Sequence, residues 1–596
     1  MDFQVVEHDV LVIGAGGAGL RAAIEASAHG VSTGIVCKSL LGKAHTVMAE
    51  GGMAAALGNV AMEDNWQVHF RDTMRGGKML NNWKMAQIHA KEAPERVNEL
   101  EAWGAVFDRT EDGRILQRNF GGHRYPRLAH VGDRTGLELI RTLQDKGIHQ
   151  GIEVYMECNV QKLLIDDGRI CGAVGYWRPS GKFVLFKAKS IILATGGVGK
   201  CFKVSSNSWE YTGDGHALAY HAGADLIDLE FMQFHPTGMV WPPSVKGTLI
   251  TEAVRGEGGI LTNSHGERFM FKNIPEAYKE DTADTLDEAE RWYLGEKGAR
   301  RAPELLTRDV VARAIMKEVN GGRGTAHGGV HLDIASRRPA DYIKKKLPSM
   351  YHQFKKLADV DITKQPMEVA PTAHYMMGGV RVDAETQEST VQGLYAAGEC
   401  SAGLHGANRL GGNSLSDLLV FGRRAGYFAA QTAKKKSTFT KVNEAEVDKS
   451  FQEMLAPLNK TEGLNPYDVF EKLQDTMSRN VNIAREESEL KQALVDLANL
   501  KKELPQVKVD GNRDFNPGWH QALDLYALMT VSEAMTRAAL ERKESRGGHT
   551  RVDFPNYDEK FSKINVVIRK KGEEMEVSHI PLPEMTEEIS ALLVGM

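Results

Sequence analysis

The chain has little that would place it in a membrane or on a nucleic acid. Its sequence contains no apolar run of the roughly 18–20 residues that a membrane-spanning helix needs. The N-terminal segment MDFQVVEHDV lacks the basic and then apolar pattern of a secretory signal. The formal net charge is −5 without a long run of like charge, which disfavours nucleic acid as the main partner. We therefore expect a chain that folds in the cytosol and reaches any membrane only through another polypeptide.

Cysteine is also scarce in this sequence. The five cysteines, Cys37, Cys158, Cys171, Cys201 and Cys400, include no C-x-x-C pair. Their scatter predicts a reduced chain without a disulfide framework. Iron–sulfur clusters are usually held by several thiolates at short spacing, so we expect no such cluster and no bound metal in this chain. Electron carriers of that kind would belong to a different polypeptide.

A glycine-rich turn follows the first apolar segment. Residues 9–13 (DVLVI) predict a buried strand, and the helical stretch LRAAIEASA follows the sequence GAGGAG. In this G-x-G-x-x-G pattern, Gly14 permits a tight turn, Gly16 lets the backbone approach a pyrophosphate, and Gly19 lets helix and strand pack closely. The helix N-terminus offers free N–H groups to phosphates. The segment therefore predicts a dinucleotide site.

Later segments favour FAD over NAD as the dinucleotide. An NAD site usually has an acidic residue about 20 residues after the glycines, and Lys38 and Ser39 stand there instead. The segments ATGG (194–197) and AAGEC (396–400) each end an apolar run in glycine, as expected at a nucleotide crevice. Glu399 is placed to hydrogen-bond a polyol such as the ribityl chain of FAD.

The pattern along the chain predicts an α/β fold built from more than one domain, since the chain is too long for one hydrophobic core. The β-α-β start indicates a parallel sheet, to which the apolar segments 191–197 and 393–398 return. Residues 152–189 suit an antiparallel excursion. From about 239 to 357 strands become few and polar helical stretches appear, which indicates an inserted domain.

The C-terminal part of the chain reads as helical after about residue 426, with a strand-containing basic tail over the last 45 residues. Asn465-Pro466 predicts the start of one helix, because proline suits the first turn. The spacing of Leu490, Leu494, Leu497 and Leu500 predicts an apolar stripe on another helix.

Six further segments occur in an order that makes the chain similar to one known family. They are AHTVMAEGG (44–52), QFHPTG (233–238), TEAVRGEGG (251–259), TRD (307–309), HYMMGG (374–379) and GANRLGGNSL (406–415), with ESRGGH (544–549) near the end. Together they resemble the flavoprotein subunit of succinate dehydrogenase and fumarate reductase. One departure is that Lys43-Ala44 stand where many family members have Arg-Ser.

The resemblance implies a Rossmann-like FAD-binding domain of the glutathione-reductase type, an inserted α+β capping domain, a helical domain and a small C-terminal domain. The expected bounds are 1–238 and 358–425 for the FAD-binding domain, 239–357 for the capping domain, 426–548 for the helical domain and 549–596 for the C-terminal domain.

The resemblance also implies FAD bound covalently through His45 and a succinate/fumarate site. His374 and Arg409 would bind one carboxylate, and His235 and Thr251 the other. Arg308 would exchange the proton, with Glu252 and Arg255 as a relay. The residues expected to contact FAD are Gly14, Gly16, Gly17, Gly19, Lys38, Ser39, His45, Thr46, Gly51, Gly52, Ala194, Thr195, Gly196, Asp214, Glu399, Ser414 and Leu415.

The partners implied by the resemblance are an iron–sulfur subunit, membrane anchor subunits and, through them, quinone. The chain would then lie on the cytoplasmic side of the inner membrane. Three alternatives stay open. The nearest is an L-aspartate oxidase, which would hold FAD noncovalently. An FAD-dependent RNA-modifying protein would need a basic surface, which the net charge disfavours. A non-catalytic flavin-binding scaffold would have no reason to retain Arg308, His374 and Arg409.

Overall fold

The computed structural model describes residues 2–594 of the chain, in which helices and strands alternate. The strands are β1 (Phe3–Ile13), β2 (Thr33–Val36), β3 (Met53–Ala54), β4 (Gln117–Arg118), β5 (Leu128–Ala129), β6 (Glu153–Tyr155), β7 (Cys158–Asp166), β8 (Arg169–Trp177), β9 (Phe183–Leu193), β10 (Leu226–Ile227), β11 (Met232–Met239), β12 (Ile260–Thr262), β13 (Val330–Asp333), β14 (Met367–Met376), β15 (Gly379–Val380), β16 (Leu394–Ala396), β17 (Ala484–Arg485), β18 (Thr550–Arg551), β19 (Ile564–Lys571) and β20 (Glu574–Pro581).

The α-helices are distributed along the whole chain and become dominant after residue 412. They are α1 (Gly17–Ala28), α2 (Trp66–Gly76), α3 (Trp83–Ala102), α4 (Thr135–His149), α5 (Asp214–His221), α6 (Ala253–Gly256), α7 (Leu286–Tyr293), α8 (Arg308–Glu318), α9 (Ala340–Lys346), α10 (Pro348–Leu357), α11 (Asn413–Lys434), α12 (Glu444–Leu455), α13 (Pro466–Asn480), α14 (Glu487–Glu503), α15 (Pro517–Glu541) and α16 (Glu587–Ala591).

The largest sheet has seven strands in the order β6-β2-β1-β9-β8-β7, with β16 also paired to β9. Strands β6, β2, β1, β9 and β16 run parallel, whereas β7 and β8 form the antiparallel excursion. The last four residues of β1 are buried, because a parallel sheet is covered on both faces and takes continuous apolar runs. The predicted parallel sheet, the excursion and the returns of β9 and β16 are confirmed.

Helices α1 and α11 pack against each other through glycines on α11. A β-carbon on Gly422 would lie 2.7 Å from the carbonyl oxygen of Ala18, and one on Gly426 would lie 2.2 Å from that of Ala22. Only glycine therefore permits this close approach of the two helices. The contact brings the N-terminus of α11 beside the glycine turn that precedes α1.

A second sheet has the strand order β11-β14-β13-β12 and is antiparallel. It carries two candidate site residues on neighbouring strands, His235 on β11 and His374 on β14. The sheet joins segments on both sides of the expected boundaries at 238/239 and 357/358. The candidate capping domain and its flanking segments thus share one sheet, and the division into domains stays a prediction.

The C-terminal elements agree with the sequence pattern. Helix α13 begins at Pro466, and the side chain of Asn465 accepts a hydrogen bond from the backbone N–H of Tyr467 at 2.9 Å. On α14, the stripe residues Leu490, Leu497 and Leu500 are buried. The tail forms the β19–β20 hairpin, which joins β10 and β15 in a sheet. Among residues 2–594, no helix combines the length and apolar character required to traverse a bilayer.

Candidate active site

A cleft lies at the carboxyl ends of the parallel strands β1, β2 and β9. This is the edge at which α/β sheets bind nucleotides. Most of the residues expected to contact FAD line it. They are Gly14, Gly16, Gly17, Lys38, Ser39, His45, Thr46, Ala194, Thr195, Gly196, Asp214, Glu399, Ser414 and Leu415, with the substrate candidates His374 and Arg409.

The glycine turn leaves room and donors for phosphate groups. Gly14 has φ +110°, and a β-carbon there would lie 2.2 Å from the carbonyl oxygen of Ala194. No side chain caps the start of α1 at Gly16 and the first turn holds no acidic residue. Gly17 donates its N–H to the hydroxyl of Thr46 at 3.2 Å. This glycine turn, which has no side-chain cap at the positive end of α1, fits the pyrophosphate of a dinucleotide.

Three other glycines expected to contact FAD, Gly19, Gly51 and Gly52, do not line the cleft but lie in the backbone around it. A β-carbon on Gly19 would lie 1.8 Å from the carbonyl oxygen of Gly14, so this glycine permits helix–strand packing. The carbonyl oxygen of Gly51 accepts a hydrogen bond from the guanidinium Nε of Arg118 at 2.8 Å. Gly52 has φ +123°, in the region that favours glycine. These glycines therefore shape the backbone around the cofactor site.

Lys38 lies at one end of the cleft in a buried ionic cluster. Its ammonium is 3.0 Å from the carboxylate of Asp214 and 2.7 Å from that of Asp524 on α15. It also donates to the hydroxyl of Thr212 at 2.9 Å. Burial opposes the charge, but the two carboxylates outweigh burial and raise the pKa of Lys38. The sequence predicted Lys38 and Asp214 here, and missed Asp524 because it lies far along the chain.

Glu399 is buried with one oxygen 3.0 Å from the backbone N–H of Met376, which donates to it. Burial raises the pKa of Glu399 to about 7. The group can therefore both donate and accept near neutral pH, which suits a hydroxyl-bearing chain of the cofactor.

His45 lies in a short turn (His45–Met48) against the aromatic ring of Tyr211, with the ring centroids 4.7 Å apart. The backbone N–H of Ser208 donates to its Nδ1 at 3.3 Å, and its Nε2 lies 3.3 Å from the amide nitrogen of Asn207. Burial, with a contribution from Lys200, lowers the pKa of His45 to about 4. The imidazole is therefore neutral at pH 7 and has a lone pair available.

Two arginines meet at one amide beside the cleft. Gln233 accepts a hydrogen bond from Arg308 Nη1 at 3.2 Å and from Arg409 Nη2 at 3.0 Å, both at Oε1. Its amide nitrogen donates to Asn408 Oδ1 at 3.0 Å and to the carbonyl oxygen of Arg409 at 2.8 Å. These contacts fix the orientation of the amide. Although Gln233 stands in a motif that the sequence singled out, its side chain was not predicted as part of the site.

The two candidate histidines face each other across the second sheet, with ring centroids 5.1 Å apart. Burial, then the charge of Arg308, holds the pKa of both His235 and His374 well below the usual value. Thr251 is also buried, and it follows Ile250, whose carbonyl oxygen accepts a hydrogen bond from the Thr237 hydroxyl at 2.8 Å. The structure thus places His374 and Arg409 in the lining of the cleft and His235 against His374, and it links the Thr251 segment to the strand that carries His235.

The expected proton relay forms one buried group. Arg308 donates from Nε to Glu252 at 3.0 Å, and Arg255 Nη2 lies 3.7 Å from the same oxygen. The backbone N–H of Gly121 donates to the other oxygen at 2.7 Å. Burial would raise the pKa of Glu252, but the charges of Arg255 and Arg308 outweigh it and lower the pKa. Glu252 is therefore a carboxylate held between two cations.

Comparisons with known proteins agree with this geometry. The FAD binding domain family matches residues 9–415, and the fumarate reductase flavoprotein C-terminal family matches residues 470–590. One subunit of a fumarate reductase (CoM/CoB) from Methanothermobacter marburgensis is 44% identical over 96% of this chain and 98% of its own length. A succinate dehydrogenase flavoprotein subunit from Coxiella burnetii is 36% identical over 93% of each chain. This chain belongs to the family of succinate dehydrogenase and fumarate reductase flavoprotein subunits.

Solved structures support the same assignment for this flavoprotein. The Mycobacterium smegmatis Sdh1 complex in the apo form has a chain that is 54% identical, with a TM-score of 0.86, covering 99% of this chain and 97% of that one. A quinol fumarate reductase from E. coli is 32% identical, with a TM-score of 0.89 and 98% coverage of both chains. The expected family, the α/β FAD-binding fold, the kind of enzyme and the use of FAD are confirmed.

Three buried histidines, His69, His89 and His123, form a cluster that packs against the segment from Arg409 to the start of α11. The rings of His69 and His89 lie 5.1 Å apart, and those of His69 and His123 lie 6.0 Å apart. His69 is hydrogen-bonded to Asn413 at 2.9 Å, and His123 donates to the carbonyl oxygen of Gly411 at 2.7 Å. The cluster thus contacts the segment between Arg409 and α11. Burial lowers the pKa of His89 to about 3 and that of the other two well below the usual value.

We expect this flavoprotein to lose stability as the pH falls below about 6.5. In the folded state these imidazoles stay neutral, whereas in the unfolded state their pKa returns to that value. Protons therefore bind the unfolded chain first, and each such histidine lowers the free energy of unfolding by about 1.4 kcal/mol at one pH unit below its unfolded pKa. The melting temperature, measured at pH 7.5 and pH 5.5, should drop.

The substitution His89→Gln should reduce this pH dependence, whereas His352→Gln, at an exposed position, should leave it unchanged. Equal melting temperatures of the wild-type protein at the two pH values would contradict the expectation.

Proposed function

We propose that this flavoprotein interconverts succinate and fumarate with FAD and passes the electrons first to an iron–sulfur subunit, then to quinone. The observation that carries the proposal is the pair of guanidinium groups of Arg308 and Arg409, which meet at Gln233 beside the FAD cleft. Family membership supports the same reaction.

The charge of the site matches a C4 dicarboxylate. Arg255, Arg308 and Arg409 bring three positive charges, and Glu252 brings one negative charge. His235 and His374 are neutral at pH 7, since their pKa is held well below the usual value by burial and by Arg308. Among these four charged side chains, the positive charges exceed the negative charge by two. A substrate with two carboxylates neutralises them, whereas a monocarboxylate leaves one buried charge unpaired at a large cost.

The positions of the donors divide the binding between the two ends of the diacid. Arg409 and His374 line the cleft and would bind one carboxylate, with the bidentate geometry that a guanidinium offers. His235 and Thr251 would hold the other carboxylate with neutral N–H and O–H donors. The ring of Tyr375 supports the guanidinium of Arg409 at 4.2 Å and keeps it aimed at the substrate.

Arg308 would exchange the proton with the substrate carbon. FAD, when bound, supplies hydride acceptance and donation at N5. In fumarate reduction Arg308 starts protonated and donates a proton from its guanidinium. Glu252, which already accepts from Arg308 Nε, would take a proton from Arg255 and pass it to Arg308, and Arg255 would regain its proton from solvent. In succinate oxidation the same groups would act in reverse, and Arg308 would pass a proton to Glu252 before it accepts one from the substrate carbon.

The candidate capping segment, residues 239–357, carries Thr251, Glu252 and Arg308. We propose that it closes over the substrate and excludes water, which strengthens every charge–charge interaction in the site. The remaining parts of the proposed division are the FAD-binding domain at 1–238 and 358–425, the helical domain at 426–548 and the C-terminal domain at 549–596.

The proposal includes covalent attachment of FAD through His45. A neutral imidazole that lines the cleft supports this role, since only the unprotonated ring can form the bond. Acid-precipitated wild-type protein should stay yellow, whereas the His45→Ser variant should release its flavin into the supernatant. Succinate oxidation should fall more than fumarate reduction, because the attachment raises the flavin potential.

His265→Ser, at an exposed position, is the matched control and should keep both the yellow precipitate and the activity. Free flavin in the supernatant of wild-type protein would contradict the attachment.

Family membership supports the proposed partners. The relatives from Methanothermobacter and Coxiella are subunits by name, and the E. coli structure is that of a quinol fumarate reductase. We propose that this chain lies peripherally on the cytoplasmic side of the inner membrane, held there by membrane anchor subunits and an iron–sulfur subunit. Purification of the native complex and assay of both directions with its own quinone tests this assembly.

The reaction itself is tested with the isolated holoenzyme and a dye as electron acceptor. Succinate should reduce the dye, and L-aspartate should not. Oxidation of L-aspartate without oxidation of succinate would show an L-aspartate oxidase instead, and no oxidation of either substrate by flavin-loaded protein would indicate a scaffold.

A further inference from the structure

The turn that follows α2 has an unusual backbone. Lys78 and Met79 are consecutive non-glycine residues with φ +57° and +62°. This left-handed region is costly for any residue with a β-carbon, and such strain persists where the surroundings enforce it. Here the backbone N–H of Met79 donates to the carbonyl oxygen of Met74 at 3.0 Å, and Arg546 donates to that of Lys78 at 3.2 Å. These two hydrogen bonds hold the backbone of the turn in this conformation.

The side chain of Lys78 extends from this turn toward the candidate capping segment. Its ammonium donates to the phenol oxygen of Tyr278 at 2.8 Å and lies 3.6 Å from the carboxylate of Asp309. It also lies 5.0 Å from the ring centroid of Tyr278. Both charged side chains are buried, Lys78 with 9% and Asp309 with 2% of the side chain exposed. A buried ion pair thus joins the turn after α2 to α8.

Asp309 is the residue next to Arg308, and the two begin α8. One carboxylate oxygen, Oδ2, contacts Lys78 and accepts from Arg313 at 3.2 Å. The other, Oδ1, is buried without a hydrogen-bond partner among the described residues. Without Lys78, Arg313 would be the remaining cation beside the carboxylate, and the side chain of Arg313 is 38% exposed. The first turn of α8 would then lose its fixed position, because an uncompensated buried carboxylate moves toward water.

We propose that Lys78 is a positioning residue for Arg308, acting through its ion pair with Asp309. The inference rests on the proposed function, in which Arg308 exchanges the proton with the substrate. The guanidinium of Arg308 donates from Nε to Glu252 and from Nη1 to Gln233. A shift of the first turn of α8 would therefore move it away from both. A displacement of about 1 Å can reduce turnover about 100-fold.

The test compares Lys78→Met with Arg75→Met in the flavin-loaded holoenzyme. Arg75 lies at the same end of α2, pairs with Asp281 of the candidate capping segment at 2.7 Å and lies 5.8 Å from the ring centroid of Tyr278. It therefore shares the contact with Tyr278 but pairs with a different carboxylate. We expect Lys78→Met to lower kcat for fumarate reduction at least 30-fold while Kd for malonate, a dicarboxylate, changes less than threefold. Arg75→Met should change kcat less than twofold.

Two further measurements separate positioning from general stability. Asp309→Asn should lower kcat as Lys78→Met does, and the double variant should lose no more than the worse single variant. Lys78→Arg, which keeps the charge, should recover at least a third of wild-type kcat. If Lys78→Met does not accumulate, Tyr278→Phe removes only the phenol oxygen and should slow turnover at least threefold with the flavin retained.

A readout that needs no turnover keeps this inference separate from the proposed function. Amide hydrogen exchange of residues 307–313 in the holoenzyme should become at least tenfold faster in Lys78→Met and stay unchanged in Arg75→Met. If the wild-type protein turned over neither succinate nor fumarate, the proposed function would be refuted. Unchanged exchange in Lys78→Met, or losses of kcat that multiply in the double variant, would overturn the role of Lys78.

Discussion

The Arg308→Gln variant should lose about 10²–10⁴-fold in kcat in both directions, the range expected for removal of a group that transfers a proton in the transition state. Glutamine can occupy the place next to Glu252 and Gln233 but cannot exchange a proton with the substrate carbon. Arg308 does not line the FAD cleft, so the flavin content should stay at the wild-type level. Steady-state rates of fumarate reduction and succinate oxidation, with flavin content from absorbance, check this expectation.

The control for this variant is Arg323→Gln. Arg323 lies beyond the far end of α8, where it is half-buried and pairs with Glu318 at 2.7 Å. Its replacement should leave kcat within about twofold. An Arg308→Gln enzyme that keeps more than a tenth of its kcat, or that loses its flavin, would exclude the proton-transfer role.

Arg409→Met should weaken dicarboxylate binding about 10²–10³-fold, since truncation of one partner of a buried charge pair costs about 2–5 kcal/mol. Arg409 lines the cleft and its guanidinium is buried against Tyr375. Burial, then the charge of Arg308, lowers the pKa of Arg409 to about 9. Wild-type affinity for a dicarboxylate should therefore fall as the pH rises above about 9, where the cation is lost. Titration of the holoenzyme with malonate measures both effects.

The matched control is Arg423→Met on α11, a half-buried arginine that lies 3.5 Å from Glu25 and outside the cleft. The Arg423→Met variant should bind a dicarboxylate with the same affinity as the wild type. If Arg409→Met bound malonate within threefold of the wild-type affinity, Arg409 could not be the carboxylate ligand, and the proposed substrate class would need revision.

Local sequence signals predicted most of the scaffold. The apolar run at 9–13 lies within β1, the glycine pattern precedes α1, and Asn465-Pro466 begins α13. These signals act over a few residues: a continuous apolar run requires burial on both faces, and proline or a capping asparagine determines where a helix begins. The β11–β14 pairing was not predicted, because strand partners far apart in the chain leave no periodic pattern in either segment.

In the candidate site, too, some features could be predicted from the sequence and others depend on the tertiary structure. The sequence by itself determined the types of residue present: a glycine cradle for a dinucleotide, and the arginines and histidines whose order resembles one family. Only the tertiary structure decided which of them meet. It brought Asp524 to Lys38, placed the Gln233 amide between Arg308 and Arg409, and set Lys78 against Asp309. The physical reason is that charge interactions depend on distance and burial, and both arise only when separate segments pack together.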